Sequence, residues 1–250
     1  MTDQKHKRVR QGLIGSLLFL LVLTALPGCG FWNWLTGGAD TEISKLPQDL
    51  AQEGMDLLAA SRYEAAVQSF QALIDRFPYS KYAILAELKI ADAYYFDSRY
   101  IEAFDAYKRF EELHPKNEAV PYVIYQQGMC QYQQMNPQDR DQTNTALVIQ
   151  TFARLQQTYP ESKYAGMAVA RLGEAQTRLA AHEFEIAKFY LKKKAYKAAL
   201  GRFHSLIKNY PNTGYHAQAL EYIKIIREEI AAREAAAHKT EETQNPGVVN

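Results

Sequence analysis

Gln68-Ser-Phe-Gln-Ala-Leu-Ile-Asp-Arg-Phe-Pro-Tyr-Ser-Lys-Tyr82 decides the fold, because its pattern returns three more times along the chain. An aromatic or His precedes a proline at Phe77-Pro78, His114-Pro115, Tyr159-Pro160 and Tyr210-Pro211. Eight residues before each proline lies an aromatic: Phe70, Tyr107, Phe152 and Phe203. Four residues earlier lies a small or β-branched residue: Ala66, Ala103, Val148 and Ala199. Twelve residues further back is a second small residue in three of the four segments, at Gly54, Ala91 and Ala187. In the other segment Gly128 lies 20 residues before Val148, so that repeat carries an insert of about eight residues.

Paired helices account for this spacing. Small residues let two helices approach closely, and an aromatic four residues after a small one shares its face. Proline then ends the second helix, since it lacks a donor and restricts its predecessor. Ser80, Ser162 and Thr213 follow three of the prolines as natural N-caps for the next helix. Ser61-Arg-Tyr63 and Ser98-Arg-Tyr100 mark tight turns inside the first two pairs. The pattern predicts helices at about 47–60, 63–77, 81–97, 100–113, 119–135, 144–159, 163–180, 182–193, 196–209 and 215–236. Nothing in the sequence suggests strands. The prolines are 37, 45 and 51 residues apart, against the 34 of a tetratricopeptide repeat, so the later repeats carry extra material. The reading is an all-α, tetratricopeptide-like superhelix of about ten antiparallel helices in about five repeats.

Outward from the repeats, residues 237–250 read as a disordered tail and the N-terminus as an export signal. Lys5, Lys7, Arg8 and Arg10 precede an apolar run of about 15 residues from Gly12 to Leu26, short for a membrane-spanning helix and typical of a signal peptide. The run ends Leu26-Pro27-Gly28-Cys29, which resembles the lipobox of bacterial lipoproteins. That resemblance implies a signal peptide over 1–28 and lipidation at Cys29, against the plainer reading of a signal anchor with an incidental cysteine. The expected modification is a covalent N-acyl group and S-diacylglycerol on Cys29; no other cofactor is expected. Several acyl chains on one cysteine anchor stably where one binds marginally. Gly30, in place of the Asp that retains lipoproteins in the inner membrane of enterobacteria, favours the outer membrane. Residues 29–46 form the tether, and Phe31, Trp32 and Trp34 either sit at the membrane interface or pack on the domain.

The charge balance and the scattered reactive side chains exclude several functions. Residues 1–28 carry four basic residues and one acid, so the mature chain holds 25 basic against 27 acidic residues and a net charge of about −2. No basic face for nucleic acid is indicated. The two cysteines, Cys29 and Cys130, offer no disulfide framework, and Cys130 reads as a buried inert thiol. The six histidines show no metal-ligand spacing, and no nucleotide-binding or nucleophile motif is present. Asp139-Arg-Asp141 reads as a salt-bridged loop rather than a catalytic carboxylate pair. Lys192-Lys-Lys194 ends a helix and reads as a solvated cationic cap or a membrane or partner patch. An enzyme is not expected.

Stacked helix pairs bind protein on a surface lined by the first helix of each pair. Those helices are rich in Tyr and Gln here, and Tyr gives large contact area at little entropic cost. Tyr95, Tyr122 and Tyr132 are the candidate peptide-binding residues; Tyr94 and Tyr125 read as packing between repeats.

The most specific pattern is Tyr122-Val-x-Tyr125-x-x-Gly128 followed by Arg140-Asp141. With Gln68–Tyr82, Val120–Gly128, Asp139–Gln142, Thr158–Tyr164 and Glu183-x-x-x-Ala187-x-x-Tyr190, it makes residues 47–236 resemble the BamD family. These are the lipoprotein subunits of the outer-membrane β-barrel assembly machine. The resemblance implies a lipid-anchored adaptor on the periplasmic face of the outer membrane. Its N-terminal repeats would meet unfolded outer-membrane proteins, and its C-terminal repeats would hold the barrel-forming subunit beside other assembly lipoproteins. It also places partner docking at Arg202, for which the plain alternative is an internal ion pair with an acid such as Glu185. The runner-up is an envelope or cell-division scaffold of the Tol-Pal coordinator type, which shares the weaker Tyr-Pro-x-Ser-x-Tyr signal.

Overall fold

The computed structural model describes residues 45–244, which form nine helices and no strand. The signal segment 1–28, the lipidation site Cys29 and all but the last two residues of the tether 29–46 lie outside the described residues. The helices are α1 (Pro47–Ala59), α2 (Tyr63–Arg76), α3 (Lys81–Phe96), α4 (Tyr100–Leu113), α5 (Val120–Gln133), α6 (Thr143–Thr158), α7 (Lys163–Lys192), α8 (Tyr196–Asn209) and α9 (His216–Gln244). Each packs on the next, and α1 with α3 and α5 with α7 close successive three-helix layers. The result is an all-α superhelical repeat fold.

Four small cores follow one another along the chain, each centred on the aromatic of a second helix. Phe70 lies among Leu50, Ala66, Leu73, Ala83 and Ile90. Tyr107 lies with Ala91, Ala103, Phe110, Val123 and Cys130. Phe152 is surrounded by Ile124, Val148, Leu155, Ala165 and Ala175, and Phe203 by Phe184, Ala187, Ala199, Leu206 and Ile226. All four aromatics are fully buried, as are Ala66, Ala103, Val148 and Ala199, the small residues one turn before them. A buried Phe or Leu contributes about 1.5–3 kcal/mol by apolar area alone.

The spacing read from the sequence has a direct geometric cause. A Cβ at Gly54 would lie 2.5 Å from the Phe70 ring, and one at Gly128 closer still to the Phe152 ring. The aromatic therefore sits against the backbone of the first helix, where only hydrogen fits at Gly54 and Gly128 and a methyl group is accommodated at Ala91 and Ala187. The turns between paired helices are equally regular. Ser61, Ser98 and Lys194 adopt φ of 58°, 61° and 59°. Each heads a pair of hydrogen bonds that closes the helix end, as Ser98 N–H to Tyr95 O at 3.0 Å and Arg99 N–H to Tyr94 O at 2.9 Å, the Schellman arrangement.

Four expectations need correction. The helices expected at 163–180 and 182–193 are one 30-residue helix, α7. The residue matching Ser98 in register is Ala180, followed by Ala181; alanine is the strongest helix former and gains nothing in the left-handed region, so the helix continues. The last helix runs to Gln244, eight residues past its expected end at 236, carried by Ala231, Ala232 and Ala235-Ala-Ala237; the expected disordered tail thus begins as helix. Ser80 and Ser162 do cap their helices, accepting from Tyr82 N–H at 3.1 Å and Tyr164 N–H at 3.2 Å. Thr213 does not; its hydroxyl donates to the Tyr210 carbonyl at 2.9 Å. Among the described residues, Asp139-Arg-Asp141 forms no ion pair. Gln142 ties the loop instead, donating to the Pro137 and Arg140 carbonyls at 2.7 and 3.0 Å, while Asp141 accepts from Thr143 N–H at 3.0 Å and Thr143 Oγ1 at 2.9 Å.

Candidate functional site

The αL turns place the last residues of one helix beside the first residue of the next; Tyr63 opens α2, and Tyr95 and Phe96 close α3 before Tyr100 opens α4. Tyr63 stacks on Phe96 with centroids 6.3 Å apart. Phe96 meets Tyr95 edge-on at 5.9 Å, and Tyr95 meets Tyr100 at 5.6 Å. Phe96 is 52% exposed and neighbouring Ile101 66% exposed. Four rings thus form a half-open row along the turn edge of α2, α3 and α4. Aromatic rows of this kind offer faces and edges to further rings and to apolar side chains. Tyr95 is half-buried and anchored by Gln133, which donates to its hydroxyl at 3.4 Å from α5; burial raises that hydroxyl's pKa.

Tyr122 faces inward. Its hydroxyl donates to Asp92 Oδ1 at 2.7 Å, as does the hydroxyl of Tyr107, also at 2.7 Å. Lys89 Nζ donates to Asp92 Oδ2 at 2.7 Å, and Gln126 donates to both tyrosines at 3.2 and 3.3 Å. Asp92 is buried in a stretch that otherwise reads Ile90-Ala91 and Ala93. Burial, reinforced by the Asp92 charge, pushes both tyrosines far above their ordinary pKa. They are therefore permanent donors, and the cluster locks α3, α4 and α5 together. Sequence reasoning missed Asp92; an acid on the small-residue stripe was the available signal.

Tyr132, one helix end further on, reaches across to α7. It donates to Glu174, accepts from Arg171 Nη1 at 3.2 Å, and lies under the Arg171 guanidinium at 4.9 Å. The bond to Glu174 raises the Tyr132 pKa. The three candidate tyrosines are thus not one patch: Tyr95 belongs to the aromatic row, Tyr122 to the interior and Tyr132 to the contact between α5 and α7. Tyr94 and Tyr125 pack between repeats as expected, Tyr125 against Phe152 at 5.8 Å and Tyr164 at 5.9 Å, Tyr94 against both the first and the second core.

A second tie, spanning α4, α5 and α6, was illegible in the sequence. Arg154 grips Glu111 with both nitrogens at 2.5 and 3.3 Å, and Gln127 bonds both partners at 2.8 and 3.1 Å. Burial pushes Glu111 upward, but the bonds from Arg154 and Gln127 prevail and hold it below its ordinary value.

In the last repeat Arg202 pairs internally, with Glu183 at 3.0 and 3.3 Å; Glu185 is taken by Lys188 at 2.9 Å. The Arg202 side chain is still 45% exposed. Lys192 and Lys193 are exposed, Lys193 over the Phe189 ring at 5.8 Å, and Lys194 serves as the αL turn residue. Cys130 is fully buried, and burial pushes its thiol up to about 12. No group of three or more His, Cys, Asp or Glu among the described residues could hold a metal ion. No helix among them is long and apolar enough to cross a membrane.

The outer membrane protein assembly factor BamD of Neisseria meningitidis serogroup A is 31% identical over 232 residues, covering 87% of each chain. BamD of Vibrio cholerae is 29% identical over 212 residues, covering 81% of this chain and 86% of the relative. BamD of Rickettsia prowazekii is 32% identical over 171 residues, 68% of each. A thermophilic TPR protein of Thermus thermophilus superposes with a TM-score of 0.41 at 18% identity, over 70% of this chain and 99% of that one. Residues 44–243, the whole helical unit with its buried aromatics, match the family model of the YfiO outer membrane lipoproteins, and the chain belongs to that family.

Proposed function

We propose that this chain is a lipid-anchored subunit of the machinery that assembles outer-membrane β-barrel proteins, working as an adaptor on the periplasmic face. The observation that carries the reading is family membership over the whole repeat unit, with relatives named as outer membrane protein assembly factors. Cys29 carries the lipid anchor. The aromatic row at Tyr63, Phe96, Tyr95 and Tyr100 receives the aromatic-ended strands of unfolded barrels, ring against ring, with Tyr132 as a further contact. Tyr122 contributes by holding α3 and α5 in register. The C-terminal repeats dock the barrel-forming subunit, and Arg202 exchanges Glu183 for a carboxylate of that partner, a planar bidentate head suited to the task.

The deciding experiment isolates the full-length chain from detergent-solubilised membranes. Co-isolation of a β-barrel membrane protein that carries periplasmic repeats supports the reading; recovery with peptidoglycan-linked division proteins instead overturns it. Photocrosslinkers at Tyr95 and Tyr132 should capture barrel-derived peptides, and capture only from the outer faces of α2 and α4 would remove the row from the substrate path. Arg202→Glu should weaken retention of the barrel subunit far more than it lowers the melting temperature of the isolated chain, where it breaks only the half-exposed pair with Glu183. Cys29→Ser should shift the chain out of the outer-membrane fraction.

A further inference from the structure

The helix α7 carries a receptor position without its occupant. Thirteen residues after a repeat proline, the chain places Ala91 on α3, Gly128 on α5 and Gly173 on α7. Gly54 on α1 and Ala187 on the second half of α7 hold the equivalent place before Phe70 and Phe203. At every one of these except Gly173, the ring of the repeat's own second helix is the partner: Phe70, Tyr107, Phe152 or Phe203. The rest of α7 keeps the register. Ala165 and Ala168 close the third core as Ala83 and Ala86 close the first. Because α7 runs straight through Ala180 and Ala181, no second helix folds back, and a Cβ at Gly173 would meet nothing within 4 Å.

Gly173 instead lines an open cleft of about 910 Å³. Met135, Pro137 and Gln138 of the inserted loop line it on one side, Thr177 and Arg178 of α7 on the other, together with Tyr215. The two sides are tied together: Arg178 donates to the Asn136 carbonyl at 3.0 Å, and His182 Nδ1 lies 2.6 Å from the Gln138 carbonyl. Glu174 also lines the cleft, but its carboxylate is engaged by Tyr132 and Arg171; Arg178 closes no ion pair among the described residues and keeps its charge for an incoming acid.

We propose that this cleft is the docking site for one helix of a partner protein, which completes the interrupted repeat by seating a Phe or Tyr on Gly173 and an Asp or Glu, one turn away, on Arg178. The chain itself defines the occupant, since it fills the same hole with a helix-borne aromatic in each of its complete repeats. The inference adds to the assembly reading and does not rest on it: crosslinks at Tyr95 test that reading, and the cleft is tested separately.

The test places a photoreactive residue at Thr177 in the full-length, membrane-anchored chain and sequences the crosslinked peptides. The expected product is a single helical segment of a partner carrying an aromatic and an acid one turn apart. Gly173→Leu should lower the crosslink yield at least tenfold without lowering the melting temperature, and Arg178→Glu should lower it several-fold. Crosslinks to lipid, to a second copy of this chain or to an extended segment overturn the proposal. So does an undiminished yield in Gly173→Leu, or a lowered melting temperature in that variant, since the hole would then not be vacant.

Discussion

Gly128 and Gly173 hold the same place in the repeat, thirteen residues after Pro115 and Pro160, and meet opposite surroundings. Gly128 is buried under the Phe152 ring, whereas Gly173 faces open space. The acids beside the ring-receiving residues differ in the same way. Asp92, one residue after Ala91, is buried and accepts two tyrosine hydroxyls. Glu174, one residue after Gly173, is 49% exposed and shares its charge with Arg171. A local sequence signature therefore fixes which side of a helix is prepared for a partner; whether the partner is internal depends on the turn some seven residues later. Serine at 61 and 98 closes that turn, and alanine at 180 does not.

Stability measurements can break or sharpen this contrast. The largest effect is expected from Gly128→Leu, which forces a side chain into the Phe152 ring and should lose about 3 kcal/mol or more, beyond the usual range for overpacking because the obstruction is near backbone. Gly173→Leu should lose nothing and gain up to about 1 kcal/mol from helix propensity. Equal losses in paired thermal melts would erase the distinction between the two sites. Next in size, Asp92→Ala leaves the buried Tyr107 hydroxyl and the half-buried Tyr122 hydroxyl without their acceptor and should lose about 3 kcal/mol, against less than about 1 kcal/mol for Glu174→Ala in its solvated pairs. Chemical denaturation of the two variants decides it.

A smaller effect is set by pH. Glu111 is held below its ordinary value of 4.5 in the folded chain, so the unfolded chain takes up its proton first as pH falls. Its contribution is complete at neutral pH and disappears as pH drops from about 4.5 through the lower folded value. Glu111→Gln should therefore flatten the acid limb of the stability profile below pH 4.5, and an unchanged limb would show that the Arg154 tie carries no weight. The smallest effect lies in the turns: Ser61→Gly and Ser98→Gly relieve a left-handed residue and should each raise stability by up to about 1 kcal/mol, while Ala180→Gly, inside α7, should lower it by about 1 kcal/mol. A gain at Ala180 would mean that α7 prefers to bend there.

The cores were the legible part of the sequence. The paired positions Gly54 and Phe70, Ala91 and Tyr107, Gly128 and Phe152, Ala187 and Phe203 follow from constant spacing, because a ring on a backbone demands a small residue at one place. What the spacing could not show were ties between residues distant in sequence. Arg154 finds Glu111 across 43 residues, and Asp92 collects Tyr107 and Tyr122 from two other helices. Tyr122 was read as a groove residue because its helix face was right, yet its hydroxyl is committed inward. Arg202 does form an internal ion pair, but its acid is Glu183 and not Glu185, since Glu183 lies on the side of α7 that faces α8.

The single helix α7 also divides the molecule into folding units of unequal coupling. The first and second cores share α3, and the second and third share α5, so neither core of a pair can melt without exposing a face of the helix they share. The third and fourth share only the two ends of α7, and losing one leaves the other's contacts in place. In a nearest-neighbour description of repeat proteins, that junction is the weakest coupling along the chain. Amide hydrogen exchange should therefore find two cooperative blocks, with protection changing near Ala180 and not at any of the turns between repeats.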